Sequence, residues 1–140
     1  MTKQATLDLA AREAKLIQQL DADYFTRVIG TSSTEEDSVL VMRRIDGQGL
    51  ANVAPEIRSS LTSITDFALH CIAILKSLQL AKIWHRDINV NNIIVQNGKP
   101  ILIDFGWAIS SDGAYDNPGD LFVNARDTDG IHFDVYAMGY

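Results

Sequence analysis

Apolar residues recur at helical spacing over residues 5–20, where Leu9, Ala10, Leu16, Ile17 and Leu20 share one face and neither Gly nor Pro interrupts. The spacing predicts an amphipathic helix. Glu13 falls among those apolar positions, and core packing does not account for it. Residues 24–29 predict a short strand, residues 30–37 a polar loop, and residues 38–42 a second strand that Asp46-Gly47-Gln48-Gly49 ends in a turn. Over residues 60–80, Leu61, Ile64, Phe67, Ala68, Cys71, Ile72, Ile74, Leu75 and Leu78 leave few polar positions between them. A helix this apolar is expected to be mostly buried, with His70 as a packing or surface histidine. Residues 83–92 predict a loop. Residues 93–95 and 101–103 predict two short strands, and Asn97-Gly98 between them is a strong hairpin signal. Residues 110–130 are rich in Ser, Asp, Gly and Asn and predict a long irregular loop; residues 132–140 resume an apolar pattern.

The chain has 140 residues, 46% hydrophobic and 21% charged, which suits one globular domain. Twelve Lys plus Arg stand against 18 Asp plus Glu, a formal net charge of -6. That balance argues against electrostatic binding to nucleic acid or to an anionic membrane surface. Cys71 is the single cysteine, so there is no internal disulfide and no cysteine-based metal cluster, and nothing calls for an oxidising compartment. No uninterrupted apolar run approaches the roughly 18 residues of a membrane span, and the N-terminus lacks the apolar core of a signal peptide. The expected location is cytoplasmic.

The candidate chemistry flanks the predicted hairpin. His85-Arg86-Asp87 lies on one side, followed by Asn92; Asp104-Phe105-Gly106 lies on the other. A tight hairpin would bring Asp87, Asn92 and Asp104 to one end of a small sheet. Two carboxylates and an amide oxygen there suit a hard cation such as Mg2+, which keeps several waters and is completed by phosphates. Asp87 could then accept a proton from an attacking hydroxyl. The set fits phosphoryl transfer, where positioning and charge neutralisation carry most of the catalysis.

These residues resemble the protein kinase family. His85-Arg86-Asp87-Ile88-Asn89-Val90-Asn91-Asn92 is similar to that family's catalytic loop, and Ile103-Asp104-Phe105-Gly106 to its metal-binding segment. Arg12-Glu13-Ala14 with Leu16 and Leu20 resembles the helix carrying the kinase glutamate. Val39-Leu40-Val41-Met42 followed by Ile45-Asp46-Gly47 resembles the last N-lobe strand and hinge, and Asp134-Val135-Tyr136-Ala137-Met138-Gly139 the start of the central C-lobe helix.

The resemblance implies an α+β fold, a partial kinase-like fold. Residues 1–45 would be a remnant of the β-rich N-lobe, and residues 46–140 the first part of a mainly helical C-lobe. It implies a phosphotransferase using ATP and Mg2+ on a hydroxyl of a protein Ser/Thr or Tyr, with a small-molecule or glycan acceptor as a variant. Asp87 would be the base or orienter, with His85 and Arg86 beside it in the catalytic loop. Asn92 and Asp104 would hold Mg2+. Glu13, Met42, Arg43, Ile45 and Ile94 would belong to the nucleotide site, with Met42 behind adenine and the backbone of residues 43–45 bonding it. Phe105, His85 and Ile17 would stack in a hydrophobic column, and Asp134 would anchor the catalytic loop. Arg86 would pair with a phosphorylated residue among Ser110, Ser111, Tyr115 and Thr128.

Departures accompany the matches. No Gly-rich phosphate loop is present, since Gly47-Gln48-Gly49 lacks the third glycine and follows the hinge-like strand. Lys3 is the only lysine before Glu13. Asn89 stands where serine/threonine kinases carry a lysine, and no Ala-Pro-Glu segment lies between Asp104 and Asp134. The chain therefore reads as the middle of a kinase domain, truncated at both ends. A pseudokinase or regulatory binding fragment is the alternative to an active enzyme.

Overall fold

In the β5–β6 hairpin, Asn97 and Gly98 take φ of 52° and 76°. Positive φ at both central residues is what a two-residue turn needs to match the twist of its strands. The computed structural model describes residues 3–20, 23–110 and 138. In chain order these form α1 (Lys3–Gln18), β1 (Val28–Ser33), β2 (Ser38–Met42), β3 (Gln48–Gly49), α2 (Leu50–Ile57), α3 (Leu61–Leu80), β4 (Ile83–Trp84), β5 (Ile93–Gln96), β6 (Lys99–Leu102) and β7 (Ile109–Ser110). Of the loop expected over 110–130, Ser110 instead ends β7, and residues 111–130, with Ser111, Tyr115 and Thr128, lie outside the described residues. So does the segment with Asp134, apart from Met138.

The hairpin register pairs Gln96 with Lys99, Val95 with Pro100, Ile94 with Ile101 and Ile93 with Leu102. Pro100 is tolerated because β6 is the edge of the sheet β3-β5-β6, so no ladder bond is asked of its missing N–H. Gln48-Gly49, expected as a turn, instead pairs with Val95 and Ile94 as β3. Gly47 permits this approach: a Cβ there would lie 2.5 Å from the Val95 carbonyl oxygen. The α2 helix over residues 50–57, with Pro55 inside it, is an element the sequence reading did not predict.

The strand expected over 24–29 is displaced. Leu102 N–H donates to Tyr24 O at 2.8 Å and Thr26 N–H to Leu102 O at 3.4 Å, so this stretch crosses from one sheet to the other with Phe25 buried. The polar residues 30–33, expected as loop, extend β1 because β2 supplies an antiparallel partner; a bulge lies between Val28 and Gly30. Within the expected loop over 83–92, Ile83 and Trp84 pair with Ser110 and Ile109, and residues 90–92 form a 3-10 turn.

Ser60 caps α3, its hydroxyl accepting the Ser63 N–H at 3.1 Å. The helix ends without Gly: Lys82 itself takes the left-handed conformation, with φ 57°. Contrary to expectation α3 is not mostly buried. Ile74 and Leu78 are fully enclosed, whereas Leu61, Leu69, Ile72 and Leu80 are exposed. Among the described residues only β4, β6 and α2 pack substantially on it, and they cover one stripe. By length and composition α3 is also apolar enough to cross a membrane. Asp66 and Lys76 interrupt the apolar run without making the average of the helix polar. In the fold α3 packs under the hairpin, and the Tyr24 hydroxyl meets His70 Nδ1 at 2.9 Å in a part-buried contact. The core joins Leu16 and Ile17 of α1 to Phe25, Ile74, Leu78, Ile83, Leu102 and Phe105, and Met138 packs against it.

Candidate active site

His85 is fully buried and bonded at both ring nitrogens. The Asp87 N–H lies 3.1 Å from Nδ1 and can only donate, so Nδ1 accepts; the ring proton is then on Nε2, which donates to Ile103 O at 3.0 Å. The ring meets Phe105 edge-on at 4.7 Å between centroids, and Phe105 meets Phe25 at 6.0 Å. Ile17 belongs to the same core cluster. Burial holds the His85 pKa below its ordinary value despite the Ile103 carbonyl and the charges of Asp87 and Asp104. The unfolded chain therefore takes up a proton near pH 6.5 that the folded chain refuses, and stability falls as pH drops below 6.5 towards the folded pKa, by up to about 1.4 kcal/mol per pH unit. We expect the His85 ring resonance, followed by NMR, to titrate with a midpoint below 6.5; a midpoint at or above that value would refute the neutral, doubly bonded ring.

The carboxylate of Asp87 is oriented by two amides. Asn89 Nδ2 donates to Oδ1 at 3.1 Å, and Asn92 Nδ2 donates to Oδ2 at 3.0 Å. Both amides also donate to the Asp87 carbonyl, at 3.1 and 2.9 Å. Asn89 in turn accepts the Asn91 N–H at 2.8 Å, capping the 3-10 turn that delivers Asn92. From the sequence Asn89 was only a departure from the lysine pattern; its Asn-x-Asn spacing is an Asx-turn signal that could have revealed the clamp. Arg86, half-buried, takes φ 71° at the bend between His85 and Asp87.

Asn92 is buried, and its carbonyl accepts the Ile103 N–H at 2.9 Å, so the end of the 85–92 segment is tied to the residue before Asp104. With both amide hydrogens committed to Asp87, the group Asn92 can offer a cation is Oδ1. Asp104 is exposed, takes φ 60°, and accepts the Gly106 N–H at 3.2 Å. Among the described residues no three His, Cys, Asp or Glu side chains converge as a metal cluster. The oxygen donors of Asn92 and Asp104 fit a hard cation that leaves most of its coordination to water and phosphate.

Glu13 of α1 reaches this site: its Oε1 accepts the Phe105 N–H at 2.9 Å. Burial raises its pKa, and so does Asp104, while the Phe105 N–H and Arg12 pull it down. Arg12, beside it, donates to the Ala108 carbonyl.

Met42 lies at the end of β2, exposed, with the Thr26 hydroxyl directed at its sulfur at 3.4 Å. One expectation for the residues after it is corrected. The Arg43 N–H is not available to a base, because it donates to Arg27 O at 2.8 Å in the sheet. The Arg43 carbonyl and the backbone of Ile45 are what this stretch can still offer. Arg44 pairs with Asp46 at 3.3 Å on the open surface, a contact worth little. Ile94 is half-buried in β5 opposite Ile101. Burial pushes the Cys71 thiol up to about 11, leaving it an inert packing group.

Comparison with known proteins agrees with this architecture. The family model of the protein kinase domain matches residues 1–121. The chain belongs to the protein kinase family and has a partial kinase-like α+β fold. It is 33% identical over 112 residues to serine/threonine-protein kinase C of Synechocystis, covering 76% of this chain and 21% of that protein. It is 31% identical over 112 residues to a probable cyclin-dependent kinase 9 of Caenorhabditis elegans, covering 71% and 23%. A shorter stretch of 49 residues is 41% identical to the EKC/KEOPS complex subunit BUD32 of Yarrowia lipolytica, covering 35% and 20%. The chain thus spans about a fifth of the length of these relatives.

Proposed function

We propose that this chain carries the phosphoryl-transfer centre of a Mg-ATP-dependent protein kinase acting on a Ser or Thr hydroxyl. The observation that carries the reading is the Asn92 junction. One residue holds the Asp87 carboxylate through its side chain and, through its backbone, the strand end that presents Asp104. Asp87 would orient the acceptor hydroxyl and take its proton on a carboxylate oxygen, with Asn89 and Asn92 fixing its rotamer. Asn92 Oδ1 and the Asp104 carboxylate would hold Mg2+, which when bound neutralises charge on the phosphate oxygens. The Arg43 carbonyl and the Ile45 backbone would bond adenine, with Met42 behind it and Ile94 beneath. His85 supports Asp87 from behind, and Arg86 remains the candidate partner for a phosphorylated loop residue. Serine/threonine specificity is supported by the printed names of relatives such as the Synechocystis enzyme.

We assign residues 1–45 to the N-lobe part, residues 46–140 to the C-lobe part, and the protein to the cytoplasm. Nucleic acid and membrane are not among the proposed partners.

A second reading, a regulatory module without turnover, draws on one observation. Among the described residues the charges acting on Glu13 are Asp104 and Arg12, and no lysine is among them. Nucleotide binding separates the two. ATP with Mg2+ should raise the thermal midpoint of the chain, and Asp104→Asn should abolish the Mg2+-dependent part of that rise while leaving the unliganded midpoint near the parent value. A midpoint indifferent to Mg-ATP would favour the regulatory reading.

A further inference from the structure

Two adjacent residues of α1 grip the two ends of a single turn. Glu13 Oε1 accepts the N–H of Phe105 at 2.9 Å, and the Arg12 guanidinium donates from Nη2 to the carbonyl of Ala108. Between these points the Ala108 N–H donates to Phe105 O at 3.1 Å and closes the turn. Phe105 and Ala108 are both fully buried, so the Ala108 carbonyl meets a charged donor in a setting where a lost partner is costly. Asp104 stands immediately before this turn at φ 60°, a conformation that a non-glycine residue keeps only where its surroundings impose it. On its N-terminal side the Ile103 N–H is held by Asn92 O. On its C-terminal side the turn is held by α1 at both ends, beside the burial of the Phe105 ring and the pairing of Ile109 with Trp84 that follows Ala108.

We infer that Arg12 is a positioning residue for Asp104. It pins the far end of the 105–108 turn to α1, so that Arg12 and Glu13 together set the backbone from which Asp104 projects. Lysine is a poor substitute, because a guanidinium presents several donors in a fixed plane and stays charged at any working pH. The functional part of the inference rests on the reading of Asp104 as a cation ligand; the structural part, the grip on the turn, does not.

Arg12→Ala and Arg12→Lys in the full chain test both parts. Amide exchange at 105–108, without nucleotide or metal, should accelerate by about tenfold or more in Arg12→Ala, the loss of a charge-assisted bond, and by less in Arg12→Lys. Amides of residues 65–78 in α3 should keep their parent rates. The gain in ATP affinity conferred by Mg2+, measured by calorimetry, should fall by about tenfold in Arg12→Ala, as misplacement of one ligand would cause. ATP affinity in EDTA should be unchanged. Parent-like exchange at 105–108, or an undiminished Mg2+ gain, overturns the inference. If the parent chain itself shows no Mg2+ gain, the cation-ligand reading fails, and the exchange data alone decide the grip. Should Arg12→Ala not fold, Arg12→Lys is judged by the same two measurements against the parent.

Discussion

Asp87→Asn is expected to reduce phosphoryl transfer by about 10²- to 10⁴-fold, the range usual for loss of a positioned general base. The amide is nearly isosteric but cannot take a proton. It also presents an N–H to one of the two side-chain amides that now donate to the carboxylate, from Asn89 at 3.1 Å and Asn92 at 3.0 Å. The backbone contacts survive, because both amides also donate to the Asp87 carbonyl. The fall should therefore appear in kcat, with ATP affinity and thermal midpoint close to those of the parent chain. Steady-state kinetics with a Ser/Thr peptide, beside calorimetric ATP binding, makes the comparison. Transfer at the parent rate would remove Asp87 from the base role, and a parallel loss of ATP binding would mean the loop had collapsed.

Phe105→Ala is expected to have the largest effect on stability, about 3–5 kcal/mol. Phe105 is fully buried and joins three parts of the fold: the His85 ring at 4.7 Å, the Phe25 ring at 6.0 Å, and the core cluster containing Ile17 of α1. Truncation would leave a cavity lined by groups that are already fixed from other directions. His85, for example, is bonded at both nitrogens and cannot swing in to fill it. A loss of this size is a large share of the total stability of a single domain, about 5–15 kcal/mol. Urea unfolding measures it directly. Phe105→Leu, which keeps most of the volume, should lose far less; equal losses in the two variants would mean that the packing is not specific to the ring.

Interactions between residues close in sequence are legible in this chain, and those between distant residues are not. The hairpin was legible because Asn97-Gly98 provides the positive φ values that its turn requires, and two β-rich runs flank it at the right distance. Helices α1 and α3 were legible from apolar spacing. Their burial was not. Periodicity says that a helix has an apolar side, but only its neighbours decide how much of that side is covered. Strand β1 was misplaced because residues 24–29 are apolar enough for a strand, yet Tyr24 and Thr26 find their backbone partner in Leu102. Helix α2, which holds Pro55 inside it, was not among the predicted elements.

The residues of the candidate site were nameable from short motifs, since His85 to Asn92 and Asp104 to Gly106 each lie within one local window. What those windows contain is the backbone and chemistry of the chain itself: turn propensity, capping, the spacing of apolar positions and the identity of reactive groups. All of these are determined by residues a few positions apart. The tertiary structure alone decided that Glu13 meets the Phe105 N–H across 92 positions, that Arg12 meets Ala108 across 96, and that the Arg43 N–H is consumed by the sheet. Such contacts depend on how α1 and the β1–β2 sheet are laid against each other and against the turn after β6, and that placement is set by the sum of many weak packing terms spread along the chain.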